Sequence, residues 1–182
     1  PGEPFAFLMN GFDEGFEEVT ASSLLKVDAD GRLLIENDRM ANPAGFTIHS
    51  AIQLGREDAR AVIHLHTVAG AAVSMMACGL LAASQPAASV MGELCYHDYE
   101  GIAVDLAERE RLVRDLGASF VMLLRNHGTL AVGRTIGEAF LRIYTLERAC
   151  QMQVAALAAG REGLLLPSEE AVTSAARTTA AI

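Results

Sequence analysis

The sequence has no basic stripe: 14 Lys and Arg stand against 23 Asp and Glu, for a net charge of −9. That argues against a nucleic-acid partner, because neutralisation of phosphates by clustered cations dominates such affinity. No apolar run approaches the length needed to span a bilayer, so no membrane partner is expected. No segment has the pattern of a signal peptide. Cysteine is sparse and odd in number. Cys78, Cys95 and Cys150 are scattered without a C-x-x-C pair, and they read as core thiols in a reducing, cytoplasmic setting. Neither an internal repeat nor a linker interrupts the chain. What remains is 51% apolar and 20% charged, an ordinary balance for a folded chain of this length. One domain over residues 1–182 is expected. The sequence opens on Pro1 rather than Met, and the expectation is that N-terminal residues are missing from it.

The pattern predicts alternating strands and helices. Phe5 to Met9 reads as a short strand. Ser22–Asp28 and Arg32–Glu36 read as a hairpin turning at Asp30-Gly31. Asn42 and Pro43 are N-cap and first-turn residues for a helix ending near Gly55. A strand follows over Ala61–His66. Thr67 caps a helix running through Cys78 to Gly79. Ala82 to about Tyr99 reads as loop, and Gly101–Asp105 as strand. Ala107–Leu116 reads as a charged helix with Glu108, Arg109, Glu110, Arg111 and Arg114 in water. Phe120–Leu124 and Thr129–Val132 read as strands. Thr135-x-x-Glu138 is a capping box opening the longest helix, Ile136 to about Ala159. A loosely held helix is expected after Pro167. These elements fit an α/β fold, a three-layer α/β/α sandwich on a mixed, largely antiparallel sheet.

Three of the five histidines fall where a metal site would want them. His64 and His66 stand two apart in Val62-Ile-His-Leu-His66, and side chains two apart on a strand share a face. His127 stands in Asn126-His-Gly128. Three imidazoles with a fourth position left open are the arrangement of a catalytic zinc site rather than a closed structural one. Taken singly, each motif also fits a plainer role. The H-x-H pair could be two hydrogen-bonded strand histidines, and Asn126-His-Gly128 could be a simple turn.

Together with their surroundings, the motifs are more specific. Asn42-Pro-Ala-Gly-Phe-Thr-Ile-His-Ser50, Val62-Ile-His-Leu-His-Thr67, Ala69-Gly-Ala-Ala-Val-Ser74, Gly92-Glu-Leu-Cys-Tyr-His-Asp-Tyr99 and Leu124-Arg-Asn-His-Gly128 resemble the class II aldolase/adducin family over roughly Phe5 to Gly160. The match is closest to adducin head domains and their bacterial relatives. The resemblance implies that His64, His66 and His127 ligate a divalent metal, zinc first, with manganese, iron or cobalt as alternatives. It also implies a homo-oligomer, commonly a tetramer with sites between subunits.

The departures from that family matter equally. Its aldolases carry an acid/base glutamate where Gly45 stands here, and phosphate-binding serines where Pro43 and Ala44 stand. Asp13 adds a carboxylate to a loop expected to contact phosphate, which would repel it. A sugar-phosphate aldolase is therefore disfavoured. Glu93 and His97 are the candidates for acid/base work, with loop anchoring or a subunit contact as the alternative. His49 reads as a core histidine. Arg125 could bind a substrate carboxylate or form an ion pair. Tyr144 could reach a neighbouring subunit or sit in the core, and Met75-Met76 reads as core filler.

Two functions follow from the sequence. One is a metal-dependent lyase for a small non-phosphorylated oxo- or hydroxy-acid, by aldol cleavage or decarboxylation through a metal-stabilised enolate. The other is a non-catalytic, adducin-like oligomerisation unit.

Overall fold

The computed structural model describes residues 5–103 and 105–180. The chain divides into two compact units, Pro1–Glu57 with Glu100–Leu112, and Asp58–Tyr99 with Val113–Ile182.

In the first unit, β1 (Ala6–Met9) pairs antiparallel with β2 (Leu25–Asp28), Met9 opposite Leu25. The expected hairpin partner, Arg32–Glu36, contributes a single bridge between Val27 and Leu33 and two backbone hydrogen bonds, from the Leu34 N–H to the Lys26 carbonyl and from the Asp28 N–H to the Arg32 carbonyl. The reason is burial. Leu33, Leu34 and Ile35 stay exposed, whereas Leu25 and Val27 are fully buried with Phe7, Met9 and Phe46. Burial against β1 therefore decides the pairing. Gly31 takes φ +82° in the turn, a conformation that glycine adopts without strain.

Helix α1 (Pro43–Gly55) starts and stops where the sequence places it, with the Asn42 side chain accepting from the Ala44 N–H at 3.0 Å. Phe46 stacks on Phe7 with ring centroids 6.1 Å apart. The strand expected at Gly101–Asp105 is not formed at 101–103, which bend around a Gly101 φ of +108°. Val104 lies outside the described residues. Helix α4 (Glu108–Leu116) corrects another expectation. Glu108 is buried rather than facing water, and the Arg109 guanidinium sits 4.9 Å over the Phe46 ring.

The second unit holds a four-stranded sheet in the order β3-β6-β5-β4. These strands are β3 (Ala61–Leu65), β4 (Leu94–His97), β5 (Val121–Leu124) and β6 (Gly128–Gly133). β3/β6 and β6/β5 are antiparallel and β5/β4 is parallel, so the sheet is mixed. β5 and β6 are buried at every position, β5 being the fully apolar strand of the sequence.

α2 (Val68–Ser74) is capped by Thr67 as expected but stops well before Cys78, and the chain then turns at Gly79 with φ +62°. The segment read as loop after Ala82 contains α3 (Gln85–Val90), a 3-10 turn at Met91–Glu93, and β4. α3 is capped by Ser84 and has a proline in its first turn. α5 (Ile136–Leu157) buries Ala139, Ile143, Leu146, Ala149 and Cys150 against the sheet and α2. Its Thr135 cap accepts from Glu138, but the Glu138 carboxylate accepts from the Arg134 N–H, so the box is not reciprocal. α6 (Glu169–Ala180) packs on α3 and the 91–93 turn and is largely exposed.

Candidate metal centre

Strand register brings the three histidines together. β3 runs antiparallel to β6 with Leu65 opposite Thr129, so the end of β3 meets the start of β6. β6 is reached from β5 through the tight turn Arg125-Asn126-His127, closed by a hydrogen bond from His127 N–H to the Leu124 carbonyl. His66, one residue past β3, and His127, one residue before β6, therefore lie side by side. Asn126 takes φ +56°, a left-handed conformation that asparagine tolerates better than most residues. Gly128 explains the third letter of the motif. A side chain there would run into the Leu65 carbonyl and stand 3.0 Å from His66 Cδ2.

The imidazole nitrogens that can act as ligands lie within 4.8 Å of one another. The ring centroids form a near-equilateral triangle with sides of 4.7, 4.8 and 4.6 Å. His64 Nε2 and His66 Nε2 are 2.9 Å apart. His64 Nδ1 lies 2.9 Å from the Thr129 carbonyl, to which it donates. That fixes the tautomer and leaves Nε2 with its lone pair aimed at the other two rings, the usual support for a metal-ligating histidine. Burial and the neighbouring His66 and His97 lower the His127 pKa, which keeps that ring neutral and able to ligate. Three imidazole nitrogens at these spacings suit a divalent cation such as zinc, whose nitrogen ligands sit roughly 3.4 Å apart in a tetrahedral site. His66 is exposed, and His64 and His127 are half-buried, so the cluster is open to solvent on one side.

Other sequence candidates are placed differently. Glu93 is at the opposite end of β4 from His97, and its carboxylate takes a hydrogen bond from Arg142 Nε at 3.2 Å. Arg142 also donates to the Val132 carbonyl and lies 4.0 Å over the Phe120 ring. The structure thus ties Glu93 into a lock between α5 and the sheet, away from the histidines. His97 is at the histidine end, opposite Leu124, but is buried, and its Nδ1 donates to Asp115 at 2.7 Å. Burial alone would raise the Asp115 pKa, yet hydrogen bonds from His97 and Arg114 hold it below the ordinary carboxylate value. Arg125 donates to the Met76 carbonyl at 2.8 Å and stacks 4.2 Å over Tyr96, so it braces the turn. His49 is half-buried on α1, and burial lowers its pKa to about 4. Tyr144 is exposed and stacks on Phe140 rather than entering the core. Met75 is likewise exposed, while Met76 packs against the core.

Tyr99 was not singled out by sequence reasoning. β4 delivers it two residues past His97, exposed, with its ring centroid 6.5 Å from that of His127. Its spacing from the ligand turn depends on the β4/β5 pairing, for which the sequence gives no local signal.

The class II aldolase and adducin N-terminal domain profile matches residues 3–154, and the chain belongs to that family. It is 52% identical over 171 residues to the "Putative aldolase class 2 protein" of Caulobacter vibrioides, covering 94% of this chain and 66% of the relative. It is 47% identical to alpha-adducin of Rattus norvegicus, covering 88% of this chain and 22% of the adducin. The crystal structure of an aldolase II superfamily protein from Pseudomonas syringae superposes with a TM-score of 0.94 at 46% identity, covering all of this chain and 73% of that one. The chain spans just under two thirds of the Caulobacter relative's length. The fold is thus the α/β class II aldolase fold.

Proposed function

We propose that this chain is a metal-dependent carbon–carbon lyase acting on a small, non-phosphorylated oxo- or hydroxy-acid, by aldol cleavage or decarboxylation. The observation that carries the reading is the histidine triangle, open on one side and with the His64 tautomer fixed by Thr129. A scaffold has no physical need for three converging imidazoles. His64, His66 and His127 would hold the cation, zinc in the first instance. When bound, it supplies a Lewis acid that stabilises the negative charge developing as a bond beside a carbonyl breaks.

The chain's own groups define the rest. Tyr99 is the exposed proton-bearing side chain beside His127. His97, buried and oriented by Asp115, holds the strand end from which Tyr99 emerges. Decarboxylation suits such a sparse set, since it removes no C–H proton. The non-phosphorylated substrate rests on the resemblance, which sets phosphate-binding serines where Pro43 and Ala44 stand and a phosphate contact in the loop where Asp13 stands.

The test is metal content of protein purified without chelator, wild type beside His66→Ala, followed by turnover of oxo- and hydroxy-acids. One equivalent lost in the variant, with turnover by the loaded wild type, is expected. Metal-loaded protein that turns over no such acid overturns the lyase.

The competing reading is an adducin-like oligomerisation unit. It is favoured by the exposed apolar residues Ile136, Phe140, Leu141 and Tyr144 along α5 and by the identity to alpha-adducin. No helix of the described residues is long and apolar enough to cross a membrane. A homotetramer is expected under either reading, and well-folded oligomer without metal would favour this one.

A further inference from the structure

In His64-Leu-His-Thr67 each residue but His66 is tied to a neighbouring element, whereas the His66 ring meets only its neighbour His64, at 2.9 Å between Nε2 atoms. The Thr129 carbonyl takes the His64 Nδ1 proton, and the Thr129 hydroxyl bonds the Leu65 carbonyl at 3.4 Å. Beyond His66, the Thr67 hydroxyl donates to Glu147 Oε2 on α5 and accepts the Gly70 N–H at 3.2 Å. Gly70 is the point where these supports converge. A Cβ there would stand 2.7 Å from Thr129 Cγ2, 2.7 Å from Thr67 Oγ1 and 3.3 Å from Glu147 Oε2. A methyl group would separate α2 from both its neighbours.

Glu147 itself is fixed. Leu146, Ala149 and Cys150 on either side of it are buried in the core. Its second oxygen accepts from Gln151 Nε2 at 2.8 Å. Among the described residues, its half-buried carboxylate is answered by a hydroxyl and an amide rather than by a guanidinium. Glu147 thus holds the Thr67 hydroxyl from α5, one residue beyond His66.

We propose that Glu147 is a positioning residue for the metal centre. Through the Thr67 hydroxyl it fixes the chain immediately after His66, and so sets how tightly the three imidazoles close on a divalent cation. His66 needs this more than its partners do: it is exposed and its ring bonds only within the triangle, to His64, whereas His64 is anchored to the Thr129 carbonyl and His127 by its turn. Outer supports of metal-ligating histidines commonly change affinity 10–100-fold when removed.

This inference rests on the metal reading above. The test is Co²⁺ and Zn²⁺ affinity by competition with a chromophoric chelator, together with the visible spectrum of the Co²⁺ protein. Wild type is compared with Glu147→Ala, Glu147→Gln and Thr67→Val. Glu147→Ala is expected to weaken binding roughly tenfold and to alter the Co²⁺ spectrum. Glu147→Gln, which can still accept from Thr67, should stay within about threefold of wild type. Thr67→Val removes the same bond from the other end and should match Glu147→Ala, which keeps the test intact should either variant fail to fold. Glu147→Ala and Thr67→Val proteins that melt earlier yet bind both cations like wild type overturn the positioning role while leaving the metal centre standing. Wild type that binds neither cation overturns both.

Discussion

Gly128 and His66 are in direct opposition: the hydrogen that Gly128 carries in place of a side chain faces His66 Cδ2 and the Leu65 carbonyl. The hairpin turn can bring His127 beside His66 only because nothing projects from residue 128. Gly128→Ala should therefore do two things at once. Overpacking of this kind costs about 1–3 kcal/mol, or several degrees of melting temperature in a chain of this length. It should also displace His66 and abolish stoichiometric metal. A melting curve and elemental analysis on the same preparation check both. Full metal content in a destabilised Gly128→Ala would show that the histidines can close on a cation without the gap at residue 128.

Zinc should stabilise the wild type and not the ligand variants. A ligand at 100 times its dissociation constant adds about 2.7 kcal/mol. The melting temperature should rise on adding zinc and fall on chelation. In His66→Ala the apo protein should melt close to wild type, since the removed ring is exposed, but the response to zinc should vanish. An equal response in both proteins would place the cation elsewhere.

The sequence made this site legible where local rules apply and obscured it where pairing decides. The Asn42 cap, the H-x-H spacing and the Asn126-His-Gly128 turn are local, and each lies where it was read. β4 is four residues long and half-buried, without alternation, so its parallel partner β5 rather than its own pattern makes it a strand. That pairing carries Tyr99 to the site and puts Glu93 at the far end. α3 did have local signals, Ser84 as cap and Pro86 in the first turn, hidden in a stretch too short to show a helical period. The return limb after Gly31 failed for the opposite reason. Its turn was read correctly, but Leu33, Leu34 and Ile35 find nothing to bury against.

Glu93 is held by Arg142 at the far end of β4 from His97. Glu93→Gln exchanges an ion pair with Arg142 for a neutral contact and leaves Arg142 its carbonyl and its aromatic face. Pairs with this exposure contribute on the order of 0.5–1 kcal/mol. The variant should melt slightly earlier, bind metal as wild type does, and keep its turnover. A collapse of turnover with metal content intact would return Glu93 to acid/base duty.

Acid should weaken the first unit through His49. Burial lowers its folded-state pKa to about 4, below the ordinary value near 6.5. Between those values the unfolded chain binds the proton more readily, so stability is full above about pH 6.5 and is lost as pH falls towards 4. The loss approaches about 3 kcal/mol below that window. Asp115 acts in the same direction at lower pH, since its folded pKa lies below the ordinary carboxylate value. Denaturant unfolding between pH 7 and pH 4 should show the decline, and His49→Gln should flatten its upper part. An unchanged slope in the variant would assign the acid sensitivity to other groups.

Gly45 allows a test of the proposed non-phosphorylated substrate. It occupies the third position of α1, where a Cβ would meet the Asn42 side chain at 3.5–3.8 Å, an ordinary contact. A Cβ therefore fits. Glutamate replaces a glycine in a helix, a gain of roughly 0.5–1 kcal/mol, and places a carboxylate at the positive end of the helix dipole. Gly45→Glu should melt a few degrees higher than wild type. Under the proposed function it should not gain cleavage of phosphorylated sugars, since Pro43 and Ala44 still stand where the resemblance sets phosphate-binding serines. Sugar-phosphate aldolase activity in the single variant would overturn the non-phosphorylated substrate.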